Sequence, residues 1–337
     1  MRKRITSLLL TLVMLLSLAP ALGGTASAVS GEKEVNSYAE LKAALESNTL
    51  NIKLNCDIDT MYEVPGGLTP NDVISIKSKT HTLDLNGKTL TLRTKSEINS
   101  GALAYMNLSD SDVVIKDSVG GGHIRLYQSS EWSIPMILVG SGSTLLVTGG
   151  RLTCIANGKD TPGQMLIYNA GDLKIQGGEF YCTDRDGNVN ITEKDGVLEF
   201  GDDTCYAIYS DPKAGKEVNI EGGKFTGVLR FEVNPDNKNV TTISGGTFKS
   251  HVGFFADRGI LDGAFHISGG TFSTVGLYKK WNEYWNAGLH DARHTALTIS
   301  GGTFDEFNVC LNDDYWIRAN RTCPYPEPLK GWKSTFL

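Results

Sequence analysis

Short alternations of apolar and polar residues run along most of the chain after residue 50. Apolar side chains occupy every second position in segments such as 52–56 and 83–85, and Gly, Asn or Asp follows each segment. Period-two alternation bounded by turn residues is typical of β-strands. One earlier segment, 37–47, instead has helical spacing, and Ser37 with Glu40 forms a capping box. We therefore predict a short N-terminal helix followed by an all-β chain.

A six-residue turn recurs along this chain with its glycine pair at a constant place. Ile-Ser-Gly-Gly-Thr-Phe and its variants occupy residues 147–152, 175–180, 220–225, 243–248, 267–272 and 299–304. Successive glycine pairs are 28, 45, 23, 24 and 32 residues apart. A repeat of this length predicts a solenoid. We interpret the gap of 45 residues as two units, with a strand at 197–200 in the unit that lacks the glycine pair.

The repeat is best explained by a parallel β-helix. A leucine-rich repeat would need its Leu and Asn ladder and a helical side, and the sequence has neither. In a β-helix each coil rises about 4.8 Å, so equivalent residues stack on one another. We predict about eight coils, with the glycine pair at a corner of each. Five phenylalanines would then form an internal column that begins at Leu152: Phe180, Phe225, Phe248, Phe272 and Phe304.

The repeated turns, the segment 83–90 and the capped leading helix resemble the right-handed parallel β-helix superfamily. More narrowly, residues 36–310 resemble exported pectin-lyase-like β-helix proteins of Gram-positive bacteria. The resemblance implies an all-β, right-handed solenoid with a short capping helix. Members of this superfamily include polysaccharide lyases, glycoside hydrolases, adhesins and many proteins with no known activity. The catalytic motifs of its polygalacturonase-like and pectate-lyase-like members are not found here, so no catalytic residue is transferred.

The first residues have the pattern of a signal peptide. Three basic residues at 2–4 precede an apolar run at 7–18, and Ala26-Ser27-Ala28 matches a signal-peptidase site. We predict a signal peptide at 1–28, a helical cap at 29–50, a β-helix at 51–319 and a C-terminal cap or linker tail at 320–337. The protein is thus expected to be secreted, extracellular or attached to the cell wall.

The net charge and the hydropathy of the chain argue against a nucleic-acid partner and against a membrane span. The formal net charge of −6 becomes −9 without the three basic residues of the signal peptide. Nucleic-acid binding needs clustered Lys and Arg, so we expect no nucleic-acid partner. No apolar run reaches the roughly 20 residues that span a bilayer. We expect a monomer without a membrane span.

The glycine pairs at 269 and 301 are 32 residues apart, more than the other single coils. The extra residues predict a loop at 278–294, and loops on a rigid solenoid often carry function. Aromatic rings there would stack on sugar rings while basic groups hold carboxylates, so we predict a ligand site for a polysaccharide, or for a cell-wall or host glycan. The alternative is a loop that packs on itself. The ligand-binding candidates are Tyr278, Lys280, Trp281, Tyr284, Trp285 and His294, and the catalytic candidates are Glu283, His290, Asp291 and Arg293.

These residues favour a secreted or cell-surface protein that binds carbohydrate or acts as an adhesin. An alternative is a polysaccharide lyase or glycoside hydrolase that uses the same loop. A second alternative is a structural spacer without activity. We expect no cofactor, apart from calcium at the acidic segment described next.

Two further groups of residues have more than one interpretation. Asp184, Asp186 and Asn188 begin like a calcium loop, although Val189 stands where such a loop needs glycine, and a solvated acidic loop explains them as well. Cys154 and Cys182 each follow the motif's last residue by two, so a parallel coil would place them side by side, as a disulfide or as two buried thiols. Cys310 and Cys323 are candidates for a second disulfide.

Overall fold

The computed structural model describes residues 31–69, 71–93, 104–128, 134–156, 164–194, 197–200, 203–212, 215–233, 239–256, 264–279, 297–309 and 318–319. Within them the chain is a parallel β-helix solenoid with a short leading helix, as predicted. That helix, α1 (Tyr38–Leu45), begins after Ser37, whose hydroxyl accepts a hydrogen bond from the Glu40 amide at 3.1 Å. Its apolar side chains, including Leu41 and Leu45, are buried against the first coil. The second helix, α2 (Thr60–Glu63), is a single turn.

Each coil is built from up to three faces. The first face is a parallel sheet of 11 strands. Its strands are β1 (Glu32–Val35), β2 (Asn51–Leu54), β5 (Thr80–Asp84), β8 (Asp112–Lys116), β11 (Thr144–Val147), β14 (Asp172–Ile175), β19 (Glu217–Ile220), β22 (Val240–Ile243), β24 (Phe265–Ile267), β26 (Leu297–Ile299) and β28 (Arg318–Ala319).

The second and third faces belong to one continuous sheet of 15 strands. The second face contains β3 (Ile58–Asp59), β6 (Thr89–Arg93), β9 (His123–Gln128), β12 (Arg151–Ala156), β15 (Glu179–Thr183) and β20 (Lys224–Thr226). The third contains β4 (Ile74–Lys77), β7 (Met106–Ser109), β10 (Ile137–Val139), β13 (Met165–Asn169), β18 (Tyr206–Ser210) and β21 (Val228–Val233). Toward the C-terminus three longer strands run through both faces: β23 (Thr247–Ala256), β25 (Thr271–Lys279) and β27 (Thr303–Val309).

The repeated glycine pair forms the corner between the first and second faces. In the copy at 243–248, Ile243 points into the core while Ser244 is exposed. Gly246 has a φ of 110°, which is costly for any residue with a Cβ. A Cβ on Gly245 would lie 2.3 Å from the carbonyl oxygen of Glu221 in the preceding coil. Both glycines are therefore required by the close stacking of successive corners.

The predicted phenylalanine column is present inside the coil. Phe180, Phe225, Phe248, Phe272 and Phe304 stack with centroid separations of 4.7, 4.9, 4.6 and 4.9 Å and interplanar angles of 9° or less. Leu152 precedes Phe180 in the column, as expected. Stacked rings add roughly 0.5–1.5 kcal/mol per pair beyond the burial of their apolar surface. The column therefore links the later coils along their whole height.

The 45-residue gap between glycine pairs is a single coil, so its interpretation as two units is wrong. Strand β14 pairs directly with β19, and Phe180 pairs directly with Phe225. The extra residues form an insertion that contains the antiparallel hairpin β16 (Thr192–Lys194) and β17 (Val197–Glu199). Spacing alone could not distinguish the two cases, because an insertion and a coil add the same number of residues.

Candidate ligand-binding surface

The outward side of the second face carries many basic and aromatic side chains between β6 and β20. Side chains alternate along each strand, and the parallel register stacks the outward positions of neighbouring coils. The first outward column continues from His123 through Arg151 and Glu179 to Lys224. The second column contains Arg125, Thr153 and Tyr181, and the third contains Arg93 and Tyr127. We call these nine residues the basic–aromatic ladder.

Cations outnumber carboxylates on the ladder and next to it. In the described part of the chain, its four cationic side chains, Arg93, Arg125, Arg151 and Lys224, have two carboxylate partners. Glu179 lies 3.0 Å from the Lys224 ammonium and 3.9 Å from Arg151. Asp59 binds Arg93 at 3.0 Å. Among the described residues Arg125 has no carboxylate partner, and its side chain is exposed. The surface therefore keeps a positive excess available to an anion.

Two tyrosines of the ladder lie beside its arginines. The Arg93 guanidinium is 4.5 Å from the centroid of the Tyr127 ring, and the Arg151 guanidinium is 5.9 Å from that of Tyr181. Both rings are half-buried, so part of each remains accessible. Aromatic rings flanked by guanidinium groups can stack on a sugar while the cations hold its carboxylates.

His123 organises the centre of the ladder. The Arg125 Nε–H donates to His123 Nδ1 at 3.1 Å, so the ring proton lies on Nε2 and is donated to the Thr153 hydroxyl at 2.7 Å. Burial, reinforced by the charges of Arg125 and Arg151, lowers the pKa of His123 to about 4. Both ring nitrogens are thus engaged and the ring is neutral at ordinary pH. His123 positions Thr153 and does not deprotonate it.

The carboxylate of Glu179 is unsuited to proton donation. The hydrogen bond from Lys224 lowers its pKa, and the charges of Lys224 and Arg151 act in the same direction despite some burial. General-acid catalysis by a carboxyl group requires a raised pKa. Glu179 is therefore a poor general acid at this surface.

A groove of about 580 Å³ adjoins the C-terminal end of the ladder. Its floor includes Thr226, which pairs with Tyr181, and Lys249 and Ser250 of β23. Residues 187–191 of the insertion form its wall. A Cβ on Gly187 would lie 3.9 Å from the Tyr181 hydroxyl, so the wall stands directly beside the ladder. The groove therefore extends the same polar surface into the later coils.

The third face carries a different aromatic cluster. Tyr168 and Tyr209 stack at 5.4 Å, and Arg230 lies over the rings of Tyr209 and Phe255 at 5.0 and 4.1 Å. Glu232 neutralises Arg230 at 2.7 Å and also accepts a hydrogen bond from the Tyr209 hydroxyl. The charge of Arg230 is therefore satisfied within the protein, unlike that of Arg125.

Most of the site residues predicted from sequence are not among the described residues. The candidates Lys280, Trp281, Glu283, Tyr284, Trp285, His290, Asp291, Arg293 and His294 are outside the described residues, as are Cys310 and Cys323. Tyr278 belongs to β25. Its backbone is described and its side chain is not. The 278–294 site therefore stays a prediction.

The acidic segment forms a turn organised by its own carboxylate. Asp184 accepts hydrogen bonds from the amides of Asp186 and Asn188 at 2.9 and 2.7 Å, and from the Asn188 side chain at 3.2 Å. Within the described part of the chain, no group of three or more His, Cys, Asp or Glu residues has a geometry that would hold a metal ion. The calcium site at Asp184, Asp186 and Asn188 stays a prediction.

The ladder was not predicted, because its nine residues lie in five separate strands between residues 93 and 224. One signal was available in the sequence: Arg151, Glu179 and Lys224 occupy the position of Thr in the repeated turn. Comparison with family models, with curated proteins and with solved structures finds no match to this chain. Among the described residues no helix is both long and apolar enough to cross a membrane.

Proposed function

We propose that this is an exported β-helix protein that binds an acidic carbohydrate along the basic–aromatic ladder. The observation that carries the proposal is the convergence of Arg125, Arg151 and Lys224 with two tyrosine rings on one face of consecutive coils. Coils separated by about 4.8 Å present these groups as a linear array, which suits an extended polymer. The exported location rests on the predicted signal peptide.

The charge pattern supports an anionic ligand over a neutral one. Exposed Arg125 is free of carboxylate partners among the described residues, so binding an anion breaks no ion pair there. Glu179 takes up part of the charge of Arg151 and Lys224, and a ligand carboxylate would compete with it. A guanidinium binds a carboxylate in a bidentate manner, which gives both charge and orientation.

Binding of polygalacturonate and of its fully methyl-esterified form to the full chain tests the proposal. The two polymers share sugar rings and differ in charge, so we expect the acidic form to bind more tightly. Changing Arg125 and Arg151 together to Gln should weaken its binding about tenfold or more, because two charge-assisted contacts are lost. Lys174→Gln on the first face is the matched control and should stay within about twofold of the parent.

Two outcomes would overturn this assignment. Equal binding of the acidic and esterified polymers would exclude recognition by charge. Unchanged binding in the double arginine variant, with loss in a Trp281→Ala, Trp285→Ala variant, would place the site in the 278–294 segment. New absorbance at 235 nm during the same incubation would instead support the lyase alternative for that segment.

A further inference from the structure

Three buried cysteines meet beneath the ladder, on the inner side of the second and third faces. Cys154 of β12 and Cys182 of β15 are paired positions in adjacent coils, and Cys205 immediately precedes β18. All three side chains are 0–1% exposed. In the structure they are free thiols.

Gln164 shows how closely the three approach one another. The Cys154 thiol donates to the Gln164 side-chain oxygen at 3.4 Å, and the Cys182 thiol donates to its backbone oxygen at 3.3 Å. The same backbone oxygen accepts the amide of Tyr206, the residue after Cys205, at 2.7 Å. One residue therefore contacts both thiols and the chain beside the third.

Cys182 occupies the central place in this cluster. It is the register partner of Cys154, and through the backbone oxygen of Gln164 it lies next to Tyr206, the residue after Cys205. Burial raises the pKa of Cys182, whereas the neighbouring Cys182 thiol lowers the pKa of Cys205 against the effect of its own burial. Since the thiolate is the attacking species in disulfide exchange, Cys205 is the better nucleophile of the two.

We propose that Cys182 is a shared disulfide partner, bonded to Cys154 in one form of the protein and to Cys205 in another. The Cα atoms of directly paired parallel strands are about 4.8 Å apart, within the range that a disulfide spans. This supports the first bond. The backbone oxygen of Gln164, which accepts hydrogen bonds from both the Cys182 thiol and the amide next to Cys205, supports the second.

Each step is chemically balanced. The first bond forms when two thiols lose two protons and two electrons to a low-molecular-weight disulfide, which is reduced to two thiols. In the exchange, the Cys205 thiolate attacks the sulfur of Cys182. The bond from Cys182 to Cys154 breaks, and Cys154 leaves as a thiolate that takes up a proton. The exchange involves no net oxidation.

The two bonds restrain different parts of the molecule. A bond from Cys154 to Cys182 joins adjacent coils. A bond from Cys182 to Cys205 closes a loop of 22 residues, which contains the insertion and hence the wall of the groove at 187–191. Exchange would therefore alter the restraint on the groove without changing the solenoid.

The test is refolding of the full chain from denaturant in a buffer of reduced and oxidised glutathione, followed by alkylation and non-reducing peptide mapping. We expect Cys182 in disulfides with both Cys154 and Cys205. In Cys154→Ser all of it should pair with Cys205, and in Cys205→Ser all of it should pair with Cys154. Cys56→Ser, which removes a cysteine outside the cluster, should leave the distribution unchanged.

A free Cys182 thiol in the refolded parent would overturn the proposal. So would the absence of a bond from Cys182 to Cys205 in both the parent and Cys154→Ser, or pairing of Cys182 with Cys310 or Cys323. Alanine variants at the same positions provide a second set if a serine variant fails to fold, since alanine leaves no polar group in the core. Circular dichroism confirms the fold of each sample before mapping.

Discussion

The second face of the solenoid is built in two ways along its length. In the later coils the inward residues are phenylalanines such as Phe248, and the outward residue next to each is threonine: Thr247, Thr271 and Thr303. In the earlier coils the inward positions Ile124, Leu152 and Phe180 follow the outward residues His123, Arg151 and Glu179. The backbone register is the same in both regions.

The difference shows which positions the fold constrains. An inward side chain must fill a fixed space between the coils above and below, so most inward side chains are apolar. An outward side chain only has to tolerate a strand, and threonine does so without further contacts. Charged and aromatic residues at outward positions are therefore not needed for folding. Their concentration in the earlier coils is the feature on which the proposed ligand site rests.

Among variants that test this difference between inward and outward positions, we expect the largest loss of stability for Phe248→Ala. Phe248 is 1% exposed and stacks on Phe225 at 4.9 Å and on Phe272 at 4.6 Å. Its removal leaves a cavity within the column, so we expect the free energy of unfolding to fall by about 3–5 kcal/mol. Chemical denaturation monitored by circular dichroism measures the change.

Thr247→Ala, one residue earlier and outward, is the control for Phe248→Ala. It should change the free energy of unfolding by no more than about 0.5 kcal/mol. Similar losses in the two variants would contradict the assignment of inward and outward positions. Loss of ligand binding in a folded Phe248→Ala protein would contradict the separation of scaffold from site.

A smaller effect is expected from acid. The pKa of His123 and that of His251 are lowered to about 4, in both cases chiefly by burial, whereas an unfolded histidine titrates near 6.5. Between these values the unfolded chain binds more protons, so stability must fall as the pH falls. From pH 7 to pH 5 we expect a loss of about 1–2 kcal/mol per histidine, measured by denaturation at each pH.

The double variant His123→Gln, His251→Gln shows how much of the pH dependence of stability comes from the two histidines. The carboxylates, which titrate at lower pH, are unchanged in it. Its stability should vary less between pH 7 and pH 5 than that of the parent. Two results would contradict the assignment of neutral, buried rings. One is equal stability of the parent at pH 7 and pH 5, and the other is the same dependence of stability on pH in the double variant as in the parent.

The smallest effect on stability is expected for two lysines that form similar ion pairs on different faces. Lys174 binds Glu221 at 2.6 Å on the first face, and Lys224 binds Glu179 at 3.0 Å on the ladder. Exposed pairs contribute little, so Lys174→Ala and Lys224→Ala should each shift the Tm by less than about 2 °C. Only Lys224→Ala should weaken binding of the acidic polymer. Equal binding by both variants would remove Lys224 from the site.

The prediction of the fold succeeded where residues repeat and failed where they do not. The glycine pairs and the phenylalanines mark equivalent positions in successive coils, so the column from Leu152 to Phe304 followed from spacing. The hairpin at 192–199 has the alternation of any strand, and nothing local distinguishes an antiparallel insertion from a coil. The pairing of Phe180 with Phe225 decided the matter.

The sequence by itself determined the solenoid, the capped helix, the corners and the core column, because each depends on local residue type and on a period that can be counted. Only the tertiary structure showed that His123 is hydrogen-bonded to both Arg125 and Thr153, since side-chain contacts within and between columns do not follow from spacing. It also brought Cys182 and the chain at Cys205 to a common neighbour, Gln164, although an insertion separates the two cysteines in sequence. Register places side chains side by side, and register is a property of the assembled sheet.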